Sequence, residues 1–293
     1  WKLRDSGLRH VHACWASEVA TVGLLLAEMK GTAFSFAAHA ADIFTRAAGF
    51  LDLKAREAEF AVVCSQIAYQ VLRDHFPPRQ RGRLHLVRHG LDLALYSPKP
   101  RVRRQPAYVL SVGRLVPKKG FVHLLRAAAI LASRETVEFE LHIFGGGRQE
   151  RELRQIINGL QLSDRVFLHG PASEDQLLDA YQEADLFVLA STQTADGNNE
   201  GVPNVLVEAL AMQVPVVATR TGGIPELIQD SVTGLLVEPG DHAELAAAME
   251  RLLTDDAARA AFAATGRLKV EQEYDINNTS RELLELFRTA AGA

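Results

Sequence analysis

Glu200 and Glu208 stand with seven residues between them in the stretch DGNNEGVPNVLVEALAM, residues 196–212. The second carboxylate is set in an apolar run, with Val205, Leu206 and Val207 before it and Ala209, Leu210, Ala211 and Met212 after it. Taking a carboxylate out of water is costly unless it is paired or hydrogen-bonded. Glu208 is therefore expected to have a dedicated partner, in the protein or in a ligand. Pro203 suits the first position of a helix, where a missing N–H costs nothing, and that helix is expected to span about 203–212. Its free amides near Asn204, Val205 and Leu206, together with the dipole, form an anion site. One carboxylate at the mouth, an anion cradle and a second carboxylate two turns behind would suit a sugar attached to a phosphate. The plainer alternative is an exposed loop glutamate and a helix-surface glutamate, which fits poorly with the neighbours of Glu208.

The elements that must position this stretch follow a strand–helix alternation. In the second half, short apolar strands are expected at about 107–112, 138–144, 165–168, 185–190 and 215–219, as buried parallel strands should be. Helices separate them at about 120–133, 148–159, 173–182, 203–212 and 224–229. The first half repeats the pattern, with strands at about 10–14, 33–37, 60–64 and 83–87 and helices at 17–30, 51–58 and 65–73. The tail reads as helical at about 241–253, 256–272 and 277–290. The fold class is α/β, with two doubly wound Rossmann-like domains. The segment SPKPRVRRQP at 97–106 carries three prolines among four basic residues and reads as an interdomain linker. The expected division is 1–98 as an incomplete first domain, 99–106 as linker, 107–274 as ligand-binding domain and 275–293 as a helix returning to the first domain.

At 293 residues, 47% of them hydrophobic, the chain has material for two cores. No apolar run approaches the ~18 residues of a membrane span. Residues 1–104 hold 16 Lys+Arg against 9 Asp+Glu, and the remainder is acidic. The basic half could meet an anionic membrane or acceptor, or simply be a solvated surface. No basic–aromatic stripe points to nucleic acid. Cys14 and Cys64 do not make a disulfide framework and read as buried free thiols.

In open α/β sheets, ligands bind beyond the carboxyl ends of the strands. Ser111-Val112-Gly113-Arg114 ends the first strand of the second half, with Lys118 and Lys119 close behind. Gly145-Gly146-Gly147 ends the second, His169-Gly170 the third, Ser191 to Glu200 the fourth and Thr221-Gly222-Gly223 the fifth. Every glycine-rich or polar cluster thus falls at one edge. Arg114 and Lys119 suit a diphosphate, one as a fork and one as a point charge, and the glycines let backbone approach a ligand closely.

These motifs resemble those of retaining nucleotide-sugar glycosyltransferases of the GT-B architecture, family four, the glycosyl transferases group 1. The resemblance rests on SVGRLVPKKGF (111–121), FGGG (144–147), VFLHG (166–170), DLFVLAS (185–191), EGVPNVLVEALAMQVPVVAT (200–219) and GGIPELIQDSVTGLLVEPGD (222–241). HACWAS (12–17) and FAAHAADIF (36–44) are similar to the exopolysaccharide and colanic-acid branch. The resemblance implies that Arg114 and Lys119 hold the donor diphosphate, with Gly113 and Gly145 beside it and the amides of Asn204, Val205 and Leu206 on the same phosphates. It implies that Glu208 binds the ribose, that backbone near Leu168 meets the base, and that Glu200 and Gly201 lie by the donor sugar. His39 matches the family's active-site histidine; its bland reading is a helix-capping or core histidine.

The implied activity is transfer of a hexose from a UDP- or GDP-sugar to a glycan or lipid-linked acceptor in bacterial cell-surface polysaccharide synthesis, with retention of configuration. The implied catalytic set is His39, Glu200, Arg114 and Lys119. No Asp-x-Asp motif sits where a metal-dependent transferase would hold one, so neither metal nor cofactor is expected, and fixed cations and helix amides meet the leaving charge. The expected location is cytoplasmic, with peripheral contact to the inner face of the membrane. The chain opens at WKLRDSGLRH, about where the middle of the family's first domain falls. The expectation is therefore a partial first domain, able to bind donor but poor in turnover. Other readings are an epimerase or sugar-phosphate synthase of the same fold, or a non-catalytic donor-binding module.

Overall fold

The computed structural model describes residues 7–45 and 49–290. Residues 1–6, on which the expectation about the start of the first domain partly rests, and 291–293 of the expected last segment lie outside them. The chain forms two compact units. One takes the chain through Gly90, the segment Ala195–Gly201 and the chain from Ile276 on; the other takes Leu91–Thr194 and Val202–Asp275.

The first unit holds β1 (His10–Ala13), α1 (Glu18–Lys30), β2 (Ala33–Ala38), α2 (Ala40–Phe44), α3 (Leu51–Glu57), β3 (Phe60–Val63), α4 (Gln66–Arg73) and β4 (Leu84–Leu86). Its four strands are parallel and in chain order, β1-β2-β3-β4. Phe34, Phe36, Ala61, Val63 and Leu72 bury one side of the sheet with Ala55 and Ala58. The other side is covered by the final helix of the chain, Ile276–Ala290, whose Leu283, Leu286 and Phe287 pack on Phe60, Val62 and Val87. Phe287 meets Phe60 edge-on at 5.3 Å and His12 at 5.0 Å, a favoured aromatic geometry.

The second unit holds β5 (Ala107–Val112), α5 (Phe121–Arg134), β6 (Phe139–Phe144), α6 (Glu150–Gly159), β7 (Val166–Gly170), α7 (Glu174–Glu183), β8 (Leu186–Leu189), α8 (Asn204–Ala211), β9 (Val216–Thr219), α9 (Ile224–Leu227), β10 (Leu235–Val237), α10 (His242–Thr254) and α11 (Asp256–Glu273). The six-stranded parallel sheet runs β10-β9-β8-β5-β6-β7. Val109, Leu141, Ile143, Leu186 and Val188 face α5 and α10 in one core; Leu110, Phe187, Leu206 and Leu210 form the other. Side-chain caps start α7, α10 and α11, with Ser173 accepting from Gln176, Asp241 from Glu244 and Asp255 from Ala258, each worth about 1 kcal/mol. The chain passes through β5 at the centre and leaves first toward β6 and then back through β8. The β5/β8 gap is therefore the topological switch point, where such sheets bind ligands.

Three expectations need correction. The prolines and basic residues of 97–106 suggested an interdomain linker, but the units divide between Gly90 and Leu91 and residues 91–106 lie on the second unit. Arg101 fastens them there, donating to the carbonyls of Tyr181, Gln182 and Gln213 at 2.9 Å each and also to Met212. Those carbonyls end α7 and α8, where a helix has no internal donors left. Pro203 is the N-cap of α8 rather than its first residue. Sequence periodicity also missed α2 and β10, both too short to show a period. Among the described residues no helix is long and apolar enough to cross a membrane.

Candidate functional site

In the second unit the loops at the carboxyl edge are bonded to one another. The Gly113 amide donates to Phe144 O at 2.9 Å, Gly145 to Gly170 O at 2.8 Å and Leu115 to Gly146 O at 2.9 Å. Gly145 has φ 140, and a Cβ there would stand 1.9 Å from the Gly113 carbonyl oxygen. Only glycine lets these two loops close so tightly. Gly120 does the same across the switch point: with φ 66, its Cβ would fall 1.7 Å from Ala190 O. The Thr192 amide then donates to Lys118 O at 2.9 Å. These contacts bind the Arg114–Gly120 loop after β5 to the loop after β8 that leads into α8.

Lys119 is placed by the same packing. Its stem lies over Gly113, with Cδ 3.4 Å and Cε 3.6 Å from where a Cβ would be. Glycine at 113 thus leaves room for a half-buried lysine beside the carboxyl end of β5. Arg114 is exposed on the same loop. Across the switch point, α8 begins with Asn204, Val205 and Leu206. The Leu206 amide donates to Pro203 O at 3.0 Å. Arg101 satisfies the other end of α8, and a cation there complements the dipole.

Glu208 has the partner that its surroundings required. The hydroxyl of fully buried Tyr181 donates to its Oε2 at 2.8 Å and also lies 3.2 Å from Val205 O. Burial pushes the Glu208 carboxyl above the ordinary range, the Tyr181 hydrogen bond pulls it down, and nearby Glu174 raises it again. The burial outweighs the single bond. Tyr181 sits near the end of α7, one turn after Leu177 and Leu178; its place on that apolar face was the available signal. Leu168 lies within β7, beside His169, whose ring nitrogen is 2.9 Å from that of His142.

The remaining expected residues group with the first unit. His39 follows β2 as the N-cap of α2, so the capping description is correct of it. Asp42, buried, accepts the His39 amide at 3.0 Å and the Ala16 amide at 3.3 Å. His39 Nε2 lies 3.0 Å from the Cys14 carbonyl and its ring 4.5 Å from that of Trp15. Lys54, 1% exposed, donates to Ala16 O, Ser17 O and Gly49 O at 2.7, 2.9 and 2.8 Å. It anchors the turn that His39 touches. Sequence reading passed over Lys54, although Leu51, Ala55 and Ala58 put it on the buried side of α3.

Glu200 is 5% exposed, not a solvated loop glutamate, and Gly201 passes Ala40 and Ser65 of the same unit. The structure thus brings together Gly113, Arg114, Lys119, Gly145, Asn204, Val205, Leu206 and Glu208 in one unit, and His39, Glu200 and Gly201 in the other. The two cysteines are free, but Cys14 is exposed and Cys64 half-buried. Each follows directly on the end of a strand at the sheet's rim rather than lying within it.

Several known proteins are similar to this chain. The amylovoran biosynthesis glycosyltransferase AmsK of Erwinia amylovora is 36% identical over 210 residues, covering 71% of this chain and 51% of that protein. WcaL of Escherichia coli strain K12, named for colanic acid biosynthesis, is 36% identical over 212 residues, 71% of this chain and 52% of that one. The chain spans about half the length of the curated relatives it matches. Among solved structures, a glycosyltransferase from Rickettsia africae matches with a TM-score of 0.83 at 17% identity, covering 99% of this chain and 78% of that one. Anabaena Alr3699/HepE, solved with UDP, matches with a TM-score of 0.82 at 22% identity over 96% and 79%. Those likenesses show the GT-B fold. Residues 95–269, more than half of the chain, match the family described as Glycosyl transferases group 1. This chain belongs to the glycosyl transferases group 1 family.

Proposed function

We propose that the protein is a hexosyltransferase of cell-surface polysaccharide synthesis, acting on a nucleoside-diphosphate sugar and a glycan or lipid-linked acceptor. The observation that carries the reading is the β5/β8 switch point, whose carboxyl edge carries Arg114 and Lys119 on the loop after β5 and the start of α8 after β8. Fixed cations and backbone amides there meet charge as it develops on a departing diphosphate. Glu208, behind them on α8, accepts hydrogen bonds from ribose hydroxyls. Backbone near Leu168 takes the base. His39, Glu200 and Gly201 carry the roles toward the sugar, as the family motif assigns them. The bond from C1 to the phosphate breaks as the acceptor oxygen bonds to C1 with retention, and the acceptor's proton leaves with the diphosphate. The reading calls on no metal or cofactor. The polysaccharide assignment is supported by the names of AmsK and WcaL. The excess of Lys and Arg over Asp and Glu in residues 1–104 suits the surface of an anionic membrane.

The test is release of nucleoside diphosphate from UDP-glucose, GDP-mannose and ADP-glucose, with and without a lipid-linked sugar acceptor. One donor is expected to be consumed above the protein-free rate, and its nucleotide to raise the melting temperature by binding only the folded state. A nucleotide that binds without any turnover would favour a donor-binding module instead.

A further inference from the structure

The rim of the first unit's sheet carries a set of soft and borderline donors, of which the transferase reading uses His39 alone. Cys14 follows β1, His39 follows β2, Cys64 follows β3, and His89 stands three residues after β4. Parallel strands in chain order bring all four to one edge. One ligand atom each from His39, Cys64 and His89 lies within 4.8 Å of the others. The His39 and His89 rings are 5.2 Å apart. The three residues line a cleft of about 330 Å³ together with His12 and Cys14.

We propose that His39, Cys64 and His89 form a transition-metal site that takes Zn²⁺. A thiolate and two imidazoles select borderline metals, whereas Mg²⁺ and Ca²⁺ demand oxygen. Tetrahedral zinc places nitrogen and sulfur ligands about 3.3–3.6 Å apart, so the cluster must close by about an ångström. The proposed site calls on a change of the His89 rotamer for that movement, at an exposed side chain. His39 needs only a local exchange. Its Nε2 faces the Cys14 carbonyl at 3.0 Å, and its side chain also accepts the Asp42 amide. Coordination through Nδ1 replaces the bond from the Asp42 amide and leaves Nε2–H donating to the Cys14 carbonyl to orient the ring, as outer-shell partners of metal-bound imidazoles do. Asp42 and Lys54 already hold the turn that provides this carbonyl. Three protein ligands leave a fourth position for solvent. Resting on the transferase reading above, a metal on His39 removes that side chain from its role, so Zn²⁺ acts as an inhibitor.

The test is a Co²⁺ titration of the full chain, followed by the cobalt–thiolate charge-transfer band. One Co²⁺ per chain is expected, with the band displaced by Zn²⁺ and untouched by Mg²⁺. Cys64→Ser should abolish the band and Cys14→Ser keep it. His89→Ala should lower affinity by about tenfold or more, at least the loss that follows removal of an outer-shell partner. Absence of the band in folded wild-type protein overturns the site, as does a band that survives Cys64→Ser or is lost in Cys14→Ser. Should Cys64→Ser fail to fold, the wild-type titration and His89→Ala decide alone. The spectrum needs no sugar, so the two readings fail separately. A bound metal that leaves donor turnover unchanged keeps the site and removes His39 from catalysis. A missing band removes the site and leaves the transferase reading untouched.

Discussion

Lys119→Ala should lower turnover of the sugar donor by about 10²–10³-fold, the loss seen when one preorganised donor to a developing oxyanion is removed. The size of the effect separates two roles for this lysine. A cation merely ion-paired at the surface is worth about 1 kcal/mol at most, roughly fivefold. Lys119 is half-buried, and its stem is fixed over Gly113 at the switch point, so its charge needs little reorganisation. The loss should fall on kcat more than on KM, because negative charge on the diphosphate grows as the bond to the sugar breaks. Lys118→Ala is the matched control. Lys118 contributes its carbonyl to the Thr192 amide, and the substitution leaves that bond in place, so turnover should hardly move. Arg114→Lys should fall between the two, since a fork that grips two oxygens is replaced by a point charge.

Glu208→Ala should weaken binding of UDP or GDP by about 10–100-fold, in keeping with about 1.5–3 kcal/mol for hydrogen bonds to a charged group. Stability should change less. The Tyr181 hydroxyl loses Glu208 Oε2 but keeps Val205 O at 3.2 Å, so no buried donor is stranded. Acidity gives the same assignment a second handle. Burial raises the Glu208 carboxyl above the usual range, and only the carboxylate can accept from both ribose hydroxyls. Nucleotide affinity should therefore rise as pH climbs through that elevated value and fall as the group protonates. Glu208→Gln should flatten this dependence. Isothermal titration across mildly acid to neutral pH measures both effects, and equal affinities in wild type and Glu208→Ala would remove the ribose assignment.

Much of this was legible in the residues. The strands of the second unit are short runs of valine, leucine and phenylalanine, and the glycine clusters mark where each ends. Glu208 announced a partner because its neighbours are apolar, and Tyr181 supplies it. What the sequence concealed has physical causes. The partner lay 27 positions away on another helix, beyond any local pattern. The 97–106 segment reads as a linker because prolines and basic residues cluster in it, yet Arg101 donates to four helix-end carbonyls. Lys54 gave no local signal of its three carbonyl partners, because Ala16, Ser17 and Gly49 come from turns outside its own helix. Glu200 sits in a glycine- and asparagine-rich loop that reads as exposed, whereas its side chain is buried in the first unit.

The central claim is that the carboxyl edge of the second unit, at the β5/β8 switch point, holds a nucleoside diphosphate. Amide hydrogen exchange with and without saturating UDP or GDP tests it most directly. One of the two nucleotides should slow exchange in three places: 113–119, 145–147 and the first turn of α8 at 204–206. Protection confined to other segments, or exchange at 204–206 unaltered by a nucleotide that demonstrably binds, would contradict it.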